Sequence, residues 1–189
     1  MPMDRMQAEQ IVTSQLDPGE SLLWCGVPDP FRIALSMLPA ALVGIPFAGF
    51  AAFWIYMAFT MTSKAPRAIG PFAFFPLFGV PFLLVGLGVL TSPLWAYLAA
   101  LRTAYAVTGR RAMIISRTFG TSVRSFTGED IGEISRVERD GGAGDVFFAK
   151  RTLVSRSGVP KLTPIGFIGI ADVRSVEQLI RTHLQKTAA

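Results

Sequence analysis

The pattern of hydrophobic and polar positions divides the chain into two kinds of sequence. Two long stretches, residues 33–63 and 68–101, contain no Asp, Glu, Lys, Arg or His. Each is longer than the roughly 20 apolar residues that an α-helix needs to cross the hydrocarbon core of a bilayer. Because little sequence separates them, the pattern predicts a transmembrane hairpin with helices at about 33–62 and 76–101 and a short loop at 63–67.

The two predicted spans differ in regularity. The second opens with Pro71, Pro76 and Pro81, and proline removes a backbone donor and strains a helix. We therefore expect its front part to be irregular and its regular part to begin at about residue 78. Neither span contains an ionisable side chain, whereas proton relays and ion pathways generally need one at membrane depth. The hairpin is expected to anchor or assemble rather than to conduct.

Small residues recur every four positions in the first span, at Ala40, Gly44, Ala48 and Ala52. Such a stripe lets another helix backbone approach closely. It predicts a helix-packing face, either for the other helix of the hairpin or for a second copy of the chain.

After residue 102 the pattern changes to short alternating segments, which are typical of half-buried strands. A helix follows Asp172, with apolar positions at i, i+3 and i+4 spacing. The pattern predicts a β-rich domain at 102–189, preceded at 1–32 by a separate N-terminal segment at the membrane surface, where Trp24 would be an interfacial aromatic. The predicted strands are 103–108, 112–116, 122–127, 134–139, 146–149, 152–155 and 166–170.

Composition and charge agree with this division. Only 16% of the residues are charged and 51% are hydrophobic, but all the charges lie in the remaining two thirds of the chain. There they make up about a quarter of the positions, as in ordinary soluble domains. This excludes a single soluble globule, a disulfide scaffold and a disordered chain.

The distribution of basic residues suggests an orientation and a class of partner. The net charge is +5, and basic residues outnumber acidic ones after residue 101. By the positive-inside rule both termini are expected in the cytoplasm. The excess suits membrane lipids with anionic headgroups. Nucleic acid is not expected as a partner, because no arginine-rich recognition helix or interleaved aromatics accompany the charges.

Candidate binding residues are therefore basic. Arg110 and Arg111 follow the first strand of the β-rich domain, where an arginine fork would suit a phosphate; alternatively, they belong to a turn in which Arg111 is exposed or makes a structural ion pair. A second basic group would face the membrane with Arg102 and Arg117, or would simply be a solvated sheet face. That group consists of Lys150, Arg151, Arg156 and Lys161.

Catalytic, metal and cofactor sites are not expected. The chain has one cysteine, Cys25, and one histidine, His183, which are too few for the usual thiolate, imidazole or zinc chemistries. The acidic residues between Glu129 and Asp140 are interpreted as a solvated loop rather than as a carboxylate pair, and Asp145 as part of a hairpin turn.

The order of these elements resembles bacterial membrane proteins with a PH-like (pleckstrin-homology-like) domain. The residues that carry the resemblance are Pro18-Gly19-Glu20, Leu23-Trp24-Cys25-Gly26, Tyr105-Ala106-Val107-Thr108-Gly109-Arg110-Arg111, Gly166-Phe167-Ile168-Gly169-Ile170-Ala171-Asp172 and Val176-Glu177-Gln178-Leu179-Ile180. The resemblance implies an α+β fold in which a transmembrane hairpin precedes a seven-stranded, strongly bent antiparallel sheet or barrel. A C-terminal helix would cap one end of that sheet.

These observations favour a non-enzymatic protein that presents an interaction module at the cytoplasmic surface of the membrane. Its partner would be a protein, anionic lipid headgroups, or both. The alternative is an accessory or assembly subunit that docks on a larger membrane complex, or on a second copy of itself, through the hairpin. A lipid-modifying enzyme is disfavoured, since the spans offer no polar groups beyond Ser, Thr, Tyr and Trp.

Overall fold

The computed structural model describes residues 3–63, 71–118, 120–154 and 160–185. In these ranges the chain is an α+β protein with six α-helices and two antiparallel sheets. The α-helices are α1 (Arg5–Thr13), α2 (Pro30–Ser36), α3 (Leu38–Ser63), α4 (Gly79–Leu90), α5 (Ser92–Ala100) and α6 (Val173–His183). The strands are β1 (Leu22–Gly26), β2 (Thr103–Thr108), β3 (Arg111–Ser116), β4 (Ser122–Thr127), β5 (Ser135–Glu138), β6 (Gly144–Val154) and β7 (Pro160–Ile170).

The chain forms two compact units. One contains residues 1–33 together with 98–189, and the other contains residues 34–97. The structure thus differs from the sequence-based division, which separated residues 1–32 from 102–189. The physical reason is β1, which pairs antiparallel with β2 and makes the N-terminal segment part of the β-rich unit.

The first sheet has the strand order β1-β2-β3-β4 and is covered on both faces in its centre. Ala104 and Ala106 of β2 lie in one apolar cluster with Ala8 and Val12 of α1. Tyr105 and Val107 of β2 belong to a second cluster, which includes residues of α6. Because successive side chains of a strand point to opposite faces, β2 is almost entirely buried.

The second sheet has the order β5-β6-β7, and α6 packs against the apolar cluster beneath it. Asp172 caps α6 by accepting a hydrogen bond from the Ser175 amide, as the sequence predicted. The ring of Phe167 is central, with the Tyr105 ring centroid at 4.8 Å and that of Phe148 at 5.0 Å. Trp24, the predicted interfacial aromatic, also stacks on Phe167, at 5.6 Å, and is partly buried against the core of this unit.

Several strand boundaries differ from the predictions. The segments 146–149 and 152–155 were predicted as two strands, but β6 runs continuously from Gly144 to Val154. The last strand begins at Pro160 rather than at residue 166 and pairs with β6 over its length. Asp145 lies inside β6, so it is not a turn residue.

The second unit consists mainly of α3 and α4. The predicted first span is divided into α2 and α3, and the second is a 3-10 helix (Pro71–Phe78) followed by α4 and α5. The break at Thr91 precedes Pro93, which cannot donate a backbone hydrogen bond. The loop predicted at 63–67 lies, from residue 64 onward, outside the described residues.

One helix of this unit, Leu38–Thr62, is long and apolar enough to cross a membrane. A second candidate is the pair Phe74–Leu90 and Ser92–Ala100, which is bent by 48° at its break. Only 22% of the most apolar window of the first helix is buried within the structure.

The small residues of α3 do face α4, but not at the spacing predicted. A Cβ added at Gly44 would lie 2.7 Å from the Leu90 backbone nitrogen, and one added at Gly86 would lie 2.8 Å from the Ala48 Cα. Ala40 and Ala52 are exposed. A strict four-residue spacing drifts around a helix, whereas alternating steps of three and four stay on one face. The buried small residues of α3 follow the alternating pattern at Ala41, Gly44, Ala48, Ala51 and Ala58.

Candidate functional site: a basic cleft

The two arginines predicted to meet phosphate have different environments. Arg111 is the first residue of β3 and binds Glu20 through two hydrogen bonds, Nε to Oε1 at 3.0 Å and Nη2 to Oε2 at 2.7 Å. The Thr108 hydroxyl donates to the same carboxylate at 2.6 Å, and the Asp17 amide donates at 3.0 Å. Arg111 is therefore committed to a structural ion pair, which was the alternative interpretation of this residue.

The Glu20 carboxylate has no exposed surface. Burial would raise its pKa, but the hydrogen bonds from Arg111, Thr108 and the Asp17 amide outweigh burial and lower the pKa from 4.5 to about 2. Glu20 is thus ionised at neutral pH and holds the segment before β1 against the β2–β3 hairpin. Two of the sequence motifs, Pro18-Gly19-Glu20 and Thr108-Gly109-Arg110-Arg111, are the two halves of this contact.

The other arginines predicted near this end of the sheet are dispersed. Arg110 is exposed in the turn between β2 and β3, and among the described residues only its backbone is hydrogen-bonded. Arg102 is exposed and donates to the Thr118 carbonyl at 3.2 Å. With Arg117 it lines a shallow depression beside α1. Arg102, Arg110 and Arg111 therefore do not converge on one ligand.

Lys150 and Arg151, by contrast, lie in a cleft with a third basic residue, Arg124, which was not among the predicted binding residues. The cleft has a volume of about 330 Å³ and is lined by Arg124–Phe126 of β4 and Ala149–Arg151 of β6, with Asp130 and Ile165. Arg124, Lys150 and Arg151 are all exposed. Arg156 lies outside the described residues, as does the side chain of Lys161.

The charges in this cleft are unequally paired. Lys150 Nζ lies 3.6 Å from an Oε of Glu133, and both side chains are largely exposed. The Asp130 carboxylate accepts hydrogen bonds from the Thr127 amide and hydroxyl, both at 3.0 Å. Within the described ranges, neither Arg124 nor Arg151 has a hydrogen-bonding or ion-pairing partner for its guanidinium. The cleft therefore presents two guanidinium groups that are available to an anionic ligand.

The floor of the cleft is apolar and firmly packed. The ring of Phe126 meets Phe148 edge to face, with centroids 5.5 Å apart, and Ala149 is 7% exposed. Ile165 of β7 is partly buried against the same core. Since the floor belongs to the core, the strands that carry the three basic side chains are fixed in position.

Arg124 could have been found from the sequence. β4 alternates strictly, which places Arg124 on the same face as Phe126, two residues away. A charged residue on the core face of a strand needs either a partner or an opening to solvent. The alternation was recognised, but β4 was not expected to lie beside β6, because that juxtaposition depends on the order of strands in two separate sheets.

Comparison with protein-family models, curated proteins and solved structures found no significant match. The chemistry of the basic cleft is therefore inferred only from the residues that line it. Across the described ranges, no group of three His, Cys, Asp or Glu side chains is arranged to hold a metal ion.

Proposed function

We propose that the chain is a non-enzymatic membrane protein whose hairpin holds a PH-like interaction module at the cytoplasmic surface of a bacterial inner membrane. The observation that carries the membrane part is the packing of α3 on α4. Small residues such as Gly44 and Gly86 lie at their contact, while the large apolar side chains point outward, among them Phe50, Phe53 and Leu84. A water-soluble helix pair would bury its large apolar side chains, whereas membrane helices associate through small ones.

The PH-like part of the proposal is supported by the strand arrangement. Four strands and three strands form two antiparallel sheets, and α6 packs against the core between them. The resemblance implies seven strands with a C-terminal helix. In this chain the first strand precedes the hairpin, which requires both flanks of the hairpin to lie on the same side of the membrane.

The binding surface of the module is the basic cleft. Its available guanidinium groups, Arg124 and Arg151, suit carboxylates or phosphates. Either a protein partner or anionic lipid headgroups would supply such groups, and no nucleic-acid partner, metal or cofactor is part of the proposal. The positive flanks of the hairpin support the cytoplasmic placement of both termini.

A second candidate function is that of an accessory or assembly subunit docking through the hairpin. It is favoured by the small residues left on the outer surface of α3, where Ala40 and Ala52 are exposed and a Cβ added at Gly49 would meet nothing within 4 Å. A helix of a larger membrane complex, or of a second copy, could approach there.

The membrane anchor and its topology can be tested in cells with the full chain. In a Cys25→Ala background, Lys64→Cys and Lys150→Cys would be treated with a membrane-impermeant maleimide. We expect labelling of Lys64→Cys in intact spheroplasts and labelling of Lys150→Cys only after lysis, and we expect the protein to resist alkaline carbonate extraction. Release by carbonate would contradict the anchor, and labelling of Lys150→Cys from outside would contradict the orientation.

The binding surface can be tested with a photocrosslinking amino acid at Ser125 in the cleft and, as a control, at Glu9 on α1. A discrete adduct formed only from Ser125 would support the cleft as the binding surface, and its mass would separate a protein from a lipid. Equal crosslinking at both positions would contradict it. A fragment 103–189 is not suitable for these tests, because it would lack β1 and Glu20.

A further inference from the structure

Two strand edges without strand partners among the described residues border the basic cleft. In those residues β4 pairs only with β3. β5 pairs with β6 only from Gly144 to Phe147, so in the described structure the remainder of β6 has a strand on one edge only, where β7 pairs with it. The first backbone group of that free edge is already occupied, since the Phe148 carbonyl accepts a hydrogen bond from the Gly132 amide at 2.9 Å.

The lining of the cleft indicates that it is bordered by these edges rather than by a sheet face. Successive residues of a strand point to opposite faces, so a pocket on one face touches alternate residues. This cleft instead touches three consecutive residues of β4, Arg124–Phe126, and three of β6, Ala149–Arg151. Both strands therefore border the cleft along an edge, and an unpaired edge is a template for another strand.

The side chains around the edges define the chemistry of the occupant. Arg124 and Arg151 carry no ion-pairing partner within the described ranges, and the floor is formed by Phe126 and Ile165. An extended segment with carboxylates for the two arginines and apolar residues for the floor would satisfy both features.

Charge complementarity argues against the chain itself as the occupant. Antiparallel pairing of β4 with β4 of a second copy would place both Arg124 side chains within one short strand pair, and like charges on paired strands are unfavourable. The stretches outside the described residues carry Lys64, Arg67, Arg156 and Lys186 but no acidic residue. These observations favour another protein as the source of the carboxylates.

We propose that the cleft binds an acidic, extended segment of a partner protein by strand addition at the free edge of β4, with its carboxylates on Arg124 and Arg151. This inference rests on the proposed function of the module as an interaction surface and specifies the class of partner. Strand addition supplies affinity through backbone hydrogen bonds, while the arginines supply specificity.

The test uses the purified full chain in mild detergent and a fluorescent synthetic peptide that repeats Glu-Ser-Val-Ser, so that Glu and Val alternate along one face, as Arg124 and Phe126 do on β4. An analogue of the same sequence with alternate backbone nitrogens methylated serves as the second probe, because it keeps the charge but loses donors for strand pairing. We expect the peptide to bind saturably, the methylated analogue to bind at least about tenfold more weakly, and amide exchange of residues 122–127 to slow on binding.

Matched charge reversals identify the site. The double variant Arg124→Glu/Arg151→Glu should lose at least about tenfold in affinity for the peptide. Arg110→Glu, at an exposed arginine in the turn between β2 and β3, should change it by less than about twofold. Far-ultraviolet circular dichroism of each variant verifies that it is folded. Equal binding of the two peptides, no saturable binding, or an equal effect of Arg110→Glu would each overturn strand addition.

A parallel arm with phosphatidylglycerol vesicles distinguishes this inference from the broader proposal. If the vesicles bind in an Arg124- and Arg151-dependent manner and the peptide does not, the inference fails and the headgroup function stands. If neither probe depends on the two arginines, the cleft is not the binding surface and both fail.

Discussion

Glu20 and Arg111 form a bidentate ion pair although 91 positions separate them in the chain. The whole hydrophobic stretch lies between them, so the β-rich unit is discontinuous in sequence. β1 and α1 are synthesised before that stretch, and the strand with which β1 pairs is synthesised after it. The ion pair therefore links the two parts of this unit, residues 1–33 and 98–189.

The first prediction concerns the contribution of the Glu20–Arg111 ion pair to the free energy of unfolding. In Glu20→Gln, Arg111 would retain a side chain that is only 21% exposed but would lose its buried partner. Arg111 would keep only the exposed Asp17 carboxylate, 3.0 Å from its Nη2. Because removing one partner of a buried pair leaves the other charge poorly compensated, we expect the free energy of unfolding to fall by about 2–4 kcal/mol. Chemical denaturation of the full chain in mild detergent, followed by circular dichroism, measures the loss.

Glu133→Gln is the matched control. Its carboxylate lies 3.6 Å from Lys150, but the side chain is 82% exposed, so the change should cost less than about 1 kcal/mol. A loss for Glu20→Gln no greater than that for Glu133→Gln would show that the buried pair contributes nothing special to stability.

A second prediction follows from the pKa of Glu20, which is lowered to about 2 in the folded chain. A carboxylate with a depressed folded pKa contributes stability above its unfolded pKa and loses that contribution as the pH falls through the folded one. The difference in unfolding free energy between the natural chain and Glu20→Gln should be largest at pH 7. It should shrink between about pH 5 and pH 2, by an amount on the order of 3 kcal/mol. A difference independent of pH would contradict the ionised pair.

The contact between α3 and α4 gives a third prediction with internal controls. A Cβ at Gly86 would lie 2.8 Å from the Ala48 Cα, and one at Gly44 would lie 2.7 Å from the Leu90 nitrogen, so alanine at either position must push the backbones apart. We expect a loss of about 1–3 kcal/mol for each.

Gly49→Ala and Gly88→Ala are the controls, because added Cβ atoms there meet nothing within 4 Å. Thermal aggregation in detergent, followed by size-exclusion chromatography, would rank the four variants. Equal effects at all four glycines would mean that the helices do not associate through the small-residue face.

Much of the β-rich unit could be predicted from local patterns. Strict alternation identified β4 at its observed boundaries, and the helical spacing after Asp172 identified α6.

The role of the N-terminal segment was missed, although a signal was present. Ala104-Tyr105-Ala106-Val107 is apolar without alternation, which is typical of a strand covered on both faces. That cover is α1, whose weakly apolar pattern at Ala8 and Val12 gave no indication of its partner.

The candidate site was harder to predict because it depends on tertiary neighbours. Lys150 and Arg151 were selected by their charge alone, and the cleft exists only because β4 lies beside β6. Arg111 and Arg110 are adjacent and alike in sequence, but Arg111 pairs with Glu20 and its side chain is largely buried. Basic residues predict a charged surface, but the partners that neutralise some of them are distant in sequence.

A fourth prediction concerns Asp145 of β6, which contacts both β7 and the segment that follows β5. Its Oδ1 accepts a hydrogen bond from the Gly169 amide at 2.9 Å, and its Oδ2 lies 2.8 Å from Nη2 of Arg139. The Gly169 carbonyl in turn accepts from the Asp29 amide at 2.8 Å, just before α2. Asp145→Ala would leave a buried amide without an acceptor and should cost about 1–3 kcal/mol.

Asp145→Asn separates the two interactions, since its amide oxygen can still accept from Gly169 while the charge on Arg139 is lost. The Arg139 side chain is half exposed, so we expect Asp145→Asn to lose less stability than Asp145→Ala. Equal losses in denaturation would assign the contribution of Asp145 to its charge rather than to the hydrogen bond.

The last prediction uses Cys25 as a reporter of the N-terminal strand. Cys25 is 5% exposed in β1, and burial, reinforced by the nearby Glu9 charge, raises the pKa of its thiol from 9.0 to about 11. Because the thiolate is the reactive form, this shift alone reduces the reactive fraction at pH 8 by about 100-fold. We expect maleimide to label the folded chain far more slowly than the denatured chain.

Glu20→Gln should accelerate the labelling of Cys25 by weakening the attachment of the segment before β1, so that the strand opens more often. Glu133→Gln should leave the rate unchanged, and an equal acceleration by both variants would show that Cys25 reports general loosening rather than release of β1.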